Sequence, residues 1–344
     1  MKNILIHSDN IVGLQYLLDN GYAGKIDLVY IDPPFATGAN FTITDGRAST
    51  ISNSRKGDIA YSDIVQGRDF IKFLQERLLL IKDLLSDKGS IYLHIDYKIG
   101  HYVKVMMDEV FGIENFRNDI TRIKCNPKNF ERIGYGNIKD MILFYSKTNS
   151  PIWNEPRQPY TQQDIEKLFS KIDEKGRRYT TVPIHAPGET NNGESAKPFK
   201  GIYPPKGRHW RTDVATLEEW DKEGLIEWSE NGNPRKKIFA DERQGKRVQD
   251  IWEYKDPMYP VYPTEKNAEL LELIIRTSSN MCSIVMDCFA GSGTTLKAAE
   301  KLGRQWIGID QSSLAINAIK NKLQIGSNDL FSQANECQVI ELNG

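Results

Sequence analysis

One carboxylate stands at the end of an apolar run and is followed by two prolines and an aromatic ring, Asp32-Pro33-Pro34-Phe35. The run over 26–31 is typical of a buried strand. Each proline lacks an N–H and keeps the residue before it out of the helical region, so the chain after Asp32 is stiff and extended. A carboxylate, a carbonyl and a ring at a strand end could clamp a planar group that bears an amine. An ordinary strand end with a proline turn explains these residues equally well.

A second group of residues suited to chemistry lies where another apolar run reaches Asp287 and a glycine-rich turn follows, Gly291-Ser292-Gly293-Thr294. A helix over 296–302 and a strand over 304–309 come next, and Asp310 ends the strand. This order is typical of a nucleoside-binding βαβ unit, in which glycines let the backbone approach the ligand and the last acid accepts both ribose hydroxyls. No Gly-Lys-Ser/Thr follows the glycines, which argues against a phosphate loop. Asp287 would repel a pyrophosphate and suits a cation, so the pattern favours S-adenosylmethionine over NAD.

The elements around the two motifs predict an α/β fold with a mostly parallel sheet. A strand over 3–7, a helix over 11–19 and the strand over 26–31 imply a parallel βαβ unit. Asp9 and Asp32 then lie together at the carboxyl edge of the sheet, where open α/β sheets bind ligands. Asp9 has a second explanation as the cap of the helix that follows it.

The next segments add a strand at the same edge and a long polar stretch. A helix over 69–85 leads to a strand over 90–96, which carries His94 and Asp96 as secondary site candidates. Residues 36–67, directly after the proline corner, are polar without a period. This pattern predicts a structureless lid that contacts the substrate.

Composition changes after about residue 146, and α/β character returns after about residue 250. We therefore predict a sheet domain formed by 1–146 and 251–344, the catalytic and cofactor-binding halves. A loop-rich module at 147–250 is inserted between them. In the last part of the chain, Thr264 is expected to cap a helix over 266–278.

A basic and aromatic stretch inside this module predicts contact with nucleic acid. Its cations are Lys197, Lys200, Lys206, Arg208 and Arg211, with no acid among them. The interleaved rings are Phe199, Tyr203, His209 and Trp210. Cations neutralise phosphates, and rings stack on or wedge beside bases.

Overall composition places limits on function. A net charge of −1 gives no global basic field, so a nucleic-acid surface must be local. The four cysteines are scattered, which fits a reducing cytosol and indicates no metal site. No apolar run approaches the roughly 18 residues of a membrane helix, and residues 1–3 lead into a strand and not into a signal peptide. We expect a cytoplasmic protein without membrane contact.

Together, the two motifs resemble those of the β-class amino DNA methyltransferases. Asp32-Pro33-Pro34-Phe35 resembles their catalytic corner, and 287–294 looks like their S-adenosylmethionine-binding loop. In the β-class enzymes the catalytic corner comes first in the sequence, the cofactor loop comes last, and a variable region lies between them. The order in this chain is the same. Residues 262–266 look like the segment before the cofactor loop, and 201–210 with 249–252 resembles the target-recognition regions of type III modification subunits.

Three positions depart from the family pattern. Phe35 stands where tyrosine is commoner, which keeps stacking and loses a hydroxyl. Asn267 and Cys288 stand where proline is frequent.

The resemblance implies a circularly permuted, Rossmann-like methyltransferase that flips an adenine out of duplex DNA and methylates its N6 amine. Asp32 and the Pro33 carbonyl would accept hydrogen bonds from the two N–H groups of the amine. Phe35 would stack on one face of the base, and Phe130 or Tyr135 would cover the other face. The residues implied for S-adenosylmethionine are Asp9 (adenine), Asp310 (ribose), Asp287, Phe289, Gly291, Ser292, Gly293 and Thr294 (loop), and Thr264 and Lys266 (methionine carboxylate).

Alternatives and partners remain open at this point. The same corner serves the exocyclic N4 amine of cytosine, although an acid in first position resembles adenine enzymes and serine is commoner in cytosine ones. Asp287 disfavours an NAD-dependent oxidoreductase, and the intact acids disfavour a DNA-binding module without catalysis. The implied partner is double-stranded DNA, with a second copy of the chain and a cognate restriction endonuclease as further candidates.

Overall fold

The computed structural model of the chain describes residues 2–34, 40–44, 47–50, 58–62, 68–127, 131, 133–190, 193–257, 265–325 and 337–342. The strands in this part of the chain are β1 (Asn3–His7), β2 (Ile26–Ile31), β3 (Asn40–Thr44), β4 (Arg47–Thr50), β5 (Asp58–Ser62), β6 (Leu85–Ile95), β7 (Phe116–Ile123), β8 (Lys139–Ser146), β9 (Arg157–Gln158), β10 (Lys171–Ile172), β11 (Arg178–Pro183), β12 (His185–Pro187), β13 (Arg208–Trp210), β14 (Ile226–Trp228), β15 (Pro234–Phe239), β16 (Lys246–Arg247), β17 (Ile251–Glu253), β18 (Ile284–Asp287), β19 (Gln305–Asp310) and β20 (Cys337–Glu341). The α-helices are α1 (Asn10–Asp19), α2 (Arg68–Leu84), α3 (Gly100–Phe111), α4 (Gln162–Leu168), α5 (Val214–Lys222), α6 (Ala268–Ser278), α7 (Thr294–Lys301) and α8 (Ser313–Lys322).

Two compact units divide the chain. The first comprises Met1–Pro156 together with Gln249–Gly344, and the second is Arg157–Val248. The segment expected as an inserted module, residues 147–250, contains this second unit.

A mixed, mostly parallel sheet is the frame of the first unit. Its order in the described residues is β17-β7-β8-β6-β2-β18-β19-β1-β20. Among these nine strands β8 runs against both neighbours, and the other eight share one direction. Strands from the start of the sequence are interleaved with β18 and β19 from near its end. The expected mostly parallel, permuted α/β sheet is therefore confirmed.

Strands β2 and β18 mark the switch point of the sheet, where the direction in which successive strands are added reverses. They are parallel neighbours, with Val29 opposite Met286. The chain leaves β2 through α2 for β6 on one side, and leaves β18 through α7 for β19 on the other. Open α/β sheets bind ligands in the crevice that opens at such a switch point, outside the carboxyl ends of the strands.

Helix caps fix how the chain enters two helices beside this crevice. Asp9 caps α1 and accepts a hydrogen bond from the backbone of Ile11 at 2.8 Å. Asn267 caps α6, because its side-chain oxygen accepts from the backbone N–H groups of Glu269 and Leu270. The expectation that Thr264 caps a helix over 266–278 was wrong, because α6 begins at Ala268 and Asn267 is its cap.

The polar stretch after the proline corner is not structureless as predicted. Strands β3, β4 and β5 form an antiparallel sheet within 40–62. Alternation in such short, polar strands is too brief to be read from sequence.

The second unit also contains more regular structure than its loop-rich sequence suggests. It includes the four-stranded antiparallel sheet β10-β11-β15-β14, the strand pairs β12-β13 and β9-β16, and helices α4 and α5. Its strands are two to six residues long, so no single one produces a clear apolar run.

Candidate active site

The crevice at the β2–β18 switch point brings the two sequence motifs together. Asp32 directly follows β2, and Asp287 is the last residue of the neighbouring β18. Asp310 ends β19, which pairs with β18 on its other side. Three carboxylates thus lie at the ends of adjacent parallel strands, as the βαβ pattern predicted.

Asp32 has two distinct carboxylate oxygens. Its Oδ2 lies 2.7 Å from Nζ of Lys266. Its Oδ1 is buried and, among the described residues, has no hydrogen-bond partner; the ring nitrogen Nδ1 of His94 is 3.9 Å away. A buried acceptor without a donor is costly, so this oxygen is suited to receive an N–H group from a ligand.

Asp287 is buried against the glycine-rich turn. Its oxygens accept hydrogen bonds from Oγ1 of Thr295 at 2.6 Å and from the backbone of Phe289 at 3.0 Å. Burial raises the pKa of Asp287 to about 7, and the nearby negative charges of Asp32 and Asp310 add to this increase. The site therefore carries an acid whose charge responds to neutral pH and to a cationic ligand.

Asp310 holds the glycine-rich turn in place. Its Oδ2 accepts from the backbone N–H of Gly291 at 2.8 Å, and its Oδ1 accepts from that of Ser312 at 2.9 Å. Burial raises the pKa of Asp310, while these two hydrogen bonds oppose the increase. The carboxylate expected to meet a ribose thus also fixes the loop that approaches it.

Gly293 has a steric reason to be glycine. Its φ is +72°, and a Cβ atom at this position would lie 2.8 Å from Cγ1 of Ile319. Gly291 also has positive φ, at 49°. A side chain at Gly293 would push the turn away from α8 and change its approach to the ligand.

Thr294 and Ser292 belong to a polar cluster that sequence reasoning missed in part. Their hydroxyls are 2.8 Å apart, and Lys322 of α8 donates to Oγ1 of Thr294 at 3.1 Å and to Glu265 at 2.6 Å. Lys322 therefore connects the loop to the segment before α6. Its position in the last turn of an amphipathic helix gave no signal beyond that of a surface lysine.

Asp9 and Phe289 lie near the same edge. Besides capping α1, Asp9 has both oxygens 3.4 Å from a guanidinium nitrogen of Arg77, and its side chain is 43% exposed. Arg77 stacks over Phe73, whose ring is 6.3 Å from that of Phe289. Asp9 therefore has the exposure that contact with a ligand requires, in addition to its structural role.

Four other predicted residues cannot be placed in the crevice. Phe35, Phe130 and Thr264 lie outside the described residues. Tyr135 is described and is almost fully exposed.

The aromatic part of the basic stretch belongs to the core of the second unit. Trp210 is 1% exposed, and its indole nitrogen donates to the carbonyl of Lys197 at 2.9 Å. Phe199 is fully buried and stacks on Trp228 with ring centroids 5.5 Å apart. The prediction that Trp210 contacts DNA is wrong, because a unit this small needs its large rings to form its own apolar core. Tyr203 and His209 keep more exposure.

The cations of the stretch divide into two groups. Lys197 pairs with Glu194 at 2.5 Å, and Lys200 pairs with Asp221. Lys206 is exposed in the turn before β13. Although the stretch itself contains no acid, two of its lysines are paired with acids from other parts of the unit.

Arg208 and Arg211 flank one imidazole. A guanidinium nitrogen of Arg208 is 3.1 Å from Nδ1 of His185, and Nε of Arg211 donates to the carbonyl of His185 at 3.2 Å. Burial lowers the pKa of His185, and Arg208, Arg211 and Arg235 lower it further. The lowered pKa favours a neutral imidazole, so the positive charge beside His185 comes from Arg208 and Arg211.

Two absences concern the described residues only. No group of three or more His, Cys, Asp or Glu side chains among them could hold a metal ion. None of their helices is both long and apolar enough to cross a membrane.

Comparison with known proteins gives a consistent result. Residues 26–321 match the DNA methylase family N6_N4_Mtase. The chain is 38% identical over 332 residues to the type II methyltransferase M.EcaI of Enterobacter cloacae, covering 95% of this chain and 70% of that protein. It is 26% identical over 374 residues to the type III restriction-modification enzyme StyLTI Mod subunit of Salmonella typhimurium, covering 96% of this chain and 56% of that subunit.

A solved structure shows the same fold. The complex of M1.HpyAVI with SAM superposes with a TM-score of 0.51 at 17% identity, over 94% of this chain and 100% of that one. This likeness concerns the fold of the chain. The chain belongs to the N6/N4 DNA methylase family, so it is a DNA methyltransferase and S-adenosylmethionine is its cofactor. This membership contradicts the alternative of an NAD-dependent oxidoreductase.

Proposed function

We propose that this enzyme methylates the exocyclic N6 amine of adenine, flipped out of duplex DNA at a specific site. The observation that carries the proposal is the Asp32 carboxylate at the switch point, with a buried Oδ1 that no described residue hydrogen-bonds. An acid at the first position of the Asp-Pro-Pro-Phe corner supports adenine over cytosine as the target.

The chemistry of an aromatic amine explains what Asp32 has to do. The lone pair of the amine is delocalised into the ring, so the nitrogen is a poor nucleophile. Oδ1 of Asp32 and the carbonyl oxygen of Pro33 would each accept a hydrogen bond from one N–H group of the amine. These two hydrogen bonds would turn the lone pair of the nitrogen out of the ring plane. The amine nitrogen would gain a positive charge as it takes the methyl group, while the methyl–sulfur bond breaks and the sulfur becomes neutral. The Asp32 carboxylate would offset the charge on the nitrogen until the extra proton passes to water. Alignment and electrostatics supply the rate.

The residues around the glycine-rich turn fit S-adenosylmethionine. When bound, this cofactor supplies an electrophilic methyl group on a positively charged sulfur. Asp287 offers a buried carboxylate for a cation, and the carboxylate of Asp310 is already held by the backbone of Gly291 at the loop. Phe289, Ser292, Gly293 and Thr294 line the same turn, with Lys266 at the adjoining segment and Asp9 at the end of β1. These positions support the assigned cofactor roles.

Sequence-specific contact with DNA is assigned to the second unit. Arg208 and Arg211, grouped at His185, and the exposed Lys206 are the cations that would contact phosphates. Lys197 and Lys200 are paired with Glu194 and Asp221, so DNA phosphates would have to compete with these carboxylates for the two lysines. Phe35, Phe130 and Tyr135 remain the proposed ring contacts of the flipped base.

The test is the identity of the modified base. Genomic DNA from cells that express the chain is digested to nucleosides, and mass spectrometry measures N6-methyladenine and N4-methylcytosine. We expect N6-methyladenine at one sequence motif, and none from cells expressing Asp32→Ala. N4-methylcytosine as the product would overturn the choice of base and would leave the transfer mechanism at Asp32 intact.

Further partners and the compartment are part of the proposal. M.EcaI is named a type II methyltransferase and StyLTI Mod a subunit of a type III restriction-modification enzyme. These names support a cognate restriction endonuclease as a partner, while a homodimer and a bacterial cytoplasmic location are what the family resemblance implies. Light scattering of the purified chain, alone and mixed with a candidate endonuclease, would measure both associations.

A further inference from the structure

Close to Asp32, a chain of buried polar groups crosses strands β2, β6 and β8 and ends at Lys124, which directly follows β7. The hydroxyl of Tyr30 (β2) lies 2.9 Å from Nδ1 of His94 (β6), and Nε2 of His94 lies 3.3 Å from Oδ2 of Asp140 (β8). The other oxygen of Asp140 accepts from Nζ of Lys124 at 2.6 Å. Tyr30 and His94 are buried at 1% and 0% exposure. Groups this deep must satisfy one another, which constrains where each proton lies.

The proton positions follow from Asp140. Burial opposes its ionisation, but the hydrogen bonds that Asp140 accepts from His94 and Lys124, together with the positive charge of Lys124, outweigh burial and lower its pKa well below the usual range. An ionised carboxylate only accepts, so the proton of a neutral His94 lies on Nε2. Burial lowers the pKa of His94 and raises that of Tyr30, so His94 is neutral and Tyr30 keeps its proton. The Tyr30 hydroxyl then donates to Nδ1.

This arrangement decides what His94 presents to the catalytic carboxylate. Nδ1 is 3.9 Å from Oδ1 of Asp32. In the tautomer described above Nδ1 carries a lone pair that the Tyr30 hydroxyl occupies, so it offers no N–H to Asp32. An N–H at Nδ1 would attract Oδ1 and compete with the amine of the target base. The oxygen therefore stays available because the tautomer is fixed.

Burial and the charges around the imidazole do not all shift the pKa of His94 in the same direction. Asp32 and Asp140 favour a protonated ring, Lys266 opposes it, and burial opposes it most strongly. Arg122 of β7 adds a further positive charge, 3.6 Å from Asp140. The Tyr30 hydroxyl acts in the same direction as burial, since it stabilises the neutral ring as a donor to Nδ1.

We propose that Tyr30 and His94 are positioning residues for methyl transfer: their hydrogen bond fixes the Nε2–H tautomer of His94 and so reserves Oδ1 of Asp32 for the target amine. The proposal rests on the role of Asp32 in the proposed function. It assigns no contact between His94 and the substrate.

The chain offers a matched control. Tyr92 is the register partner of Tyr30 on β6, is equally buried, and shares a 2.8 Å hydrogen bond with Oγ of Ser278 and not with His94. Tyr30→Phe and Tyr92→Phe each remove one buried hydroxyl from neighbouring strands. A loss of general stability affects both, and a loss of tautomer control affects only the first.

The experiment measures single-turnover methyl transfer to duplex DNA against pH, with the dissociation constant of S-adenosylmethionine and the melting temperature of each variant. For Tyr30→Phe we expect a rate constant at least tenfold lower, cofactor affinity within twofold of the parent, and an acid limb shifted to higher pH because His94 protonates more easily. Tyr92→Phe should stay within twofold in rate. Equal losses in both variants, or an unchanged rate and pH profile in Tyr30→Phe, would overturn the proposal.

A second measurement does not depend on how the variants fold. Nitrogen-15 chemical shifts of labelled histidines in the parent enzyme report which ring nitrogen of His94 carries the proton. The proposal requires Nε2–H, and Nδ1–H would overturn it. Failure of the proposed function is seen separately: full activity of Asp32→Ala removes the role of Asp32, whereas N4-methylcytosine as the product changes the base and leaves the role of His94 in place.

Discussion

Lys266 places Nζ 2.7 Å from Oδ2 of Asp32. The sequence resemblance assigned Lys266 to the methionine carboxylate of the cofactor, and the structure connects it to the acceptor carboxylate of the catalytic corner. The ion pair holds Oδ2, and Oδ1 stays without a hydrogen-bond donor among the described residues. Under the proposed function, Oδ1 is the oxygen that accepts from the target amine.

Asp32→Asn should abolish methyl transfer with little effect on cofactor binding. The amide presents an N–H or a weaker acceptor to the target amine, so the electrostatic stabilisation of the transition state is lost. Removing one such group costs on the order of a hundredfold or more in rate. Calorimetry of S-adenosylmethionine binding and single-turnover transfer would measure the two effects.

The control for this substitution is Asp27→Asn. Asp27 lies near the other end of β2 and accepts from Oγ of Ser86 at 2.9 Å. It should retain activity within about twofold. Transfer by Asp32→Asn at the parent rate would contradict the assigned role.

The affinity for S-adenosylmethionine should increase from pH 6 to pH 8. The pKa of Asp287 is about 7, so its carboxylate gains charge across this range and attracts the sulfonium more strongly. S-adenosylhomocysteine has a neutral sulfur and should show a weaker trend. Titration calorimetry of both ligands at three pH values checks this, and Asp287→Asn should remove the difference. Parallel pH trends for the two ligands would argue against an ionising Asp287 beside the sulfur.

The same raised pKa has a consequence for stability. Asp287 holds its proton in the folded state up to about pH 7, whereas the unfolded carboxyl loses it above about pH 3.8. The folded state binds more protons between these values, so the contribution of Asp287 to the free energy of unfolding falls as pH rises from about 4 to 7. Denaturation in the absence of cofactor should show this fall, and Asp287→Asn should flatten it.

Gly293→Ala should weaken cofactor binding by more than its effect on backbone energy alone. A left-handed backbone costs alanine about 1 kcal/mol relative to glycine, and the new Cβ would also meet Ile319 at 2.8 Å. Gly21→Ala is the control, because its φ is +78° with nothing within 4 Å. Both variants should lose similar backbone stability, and only Gly293→Ala should lose S-adenosylmethionine affinity. An equal affinity in the two variants would show that the turn tolerates the shift.

Neutralising Arg208 and Arg211 together should weaken DNA binding and lower the slope of log affinity against log salt by about 2, roughly one for each phosphate that is no longer neutralised. Fluorescence anisotropy with a labelled duplex at several salt concentrations measures the slope. Lys175→Gln, in an exposed turn of the same unit, should leave it unchanged. A slope that stays constant in the double variant would remove these arginines from the DNA surface.

Local sequence patterns were enough to predict the sheet and the place of its crevice. The apolar runs that end at Asp32, Asp287 and Asp310 are strand ends in the structure, because parallel strands buried on both faces leave continuous apolar runs. The fold class was predictable for that reason, and the cofactor was predictable from the glycine-rich turn after Asp287 and from the family resemblance. Phe35, Phe130 and Thr264 lie outside the described residues, so their roles stay predictions.

Pairings between distant residues were not predictable. Trp210 sits in a basic stretch that looks suited to stacking on bases, and only the tertiary structure reveals it as core. Lys266 and Lys322 find Asp32 and Glu265 across the chain, and no local period marks such partners. His94 was noted only as a residue at the correct edge, since its bonds to Tyr30 and Asp140 cross three strands.

The adjacency of β2 and β18 also has a consequence for synthesis of the enzyme. Val29 is paired with Met286, so the sheet cannot close until nearly the whole chain described here has left the ribosome. Contacts this distant in sequence make folding slow and leave the edge of β2 exposed in the meantime. The ability to methylate DNA therefore arises late in synthesis, because a nascent chain that stops before β18 lacks Asp287, the glycine-rich turn and Asp310.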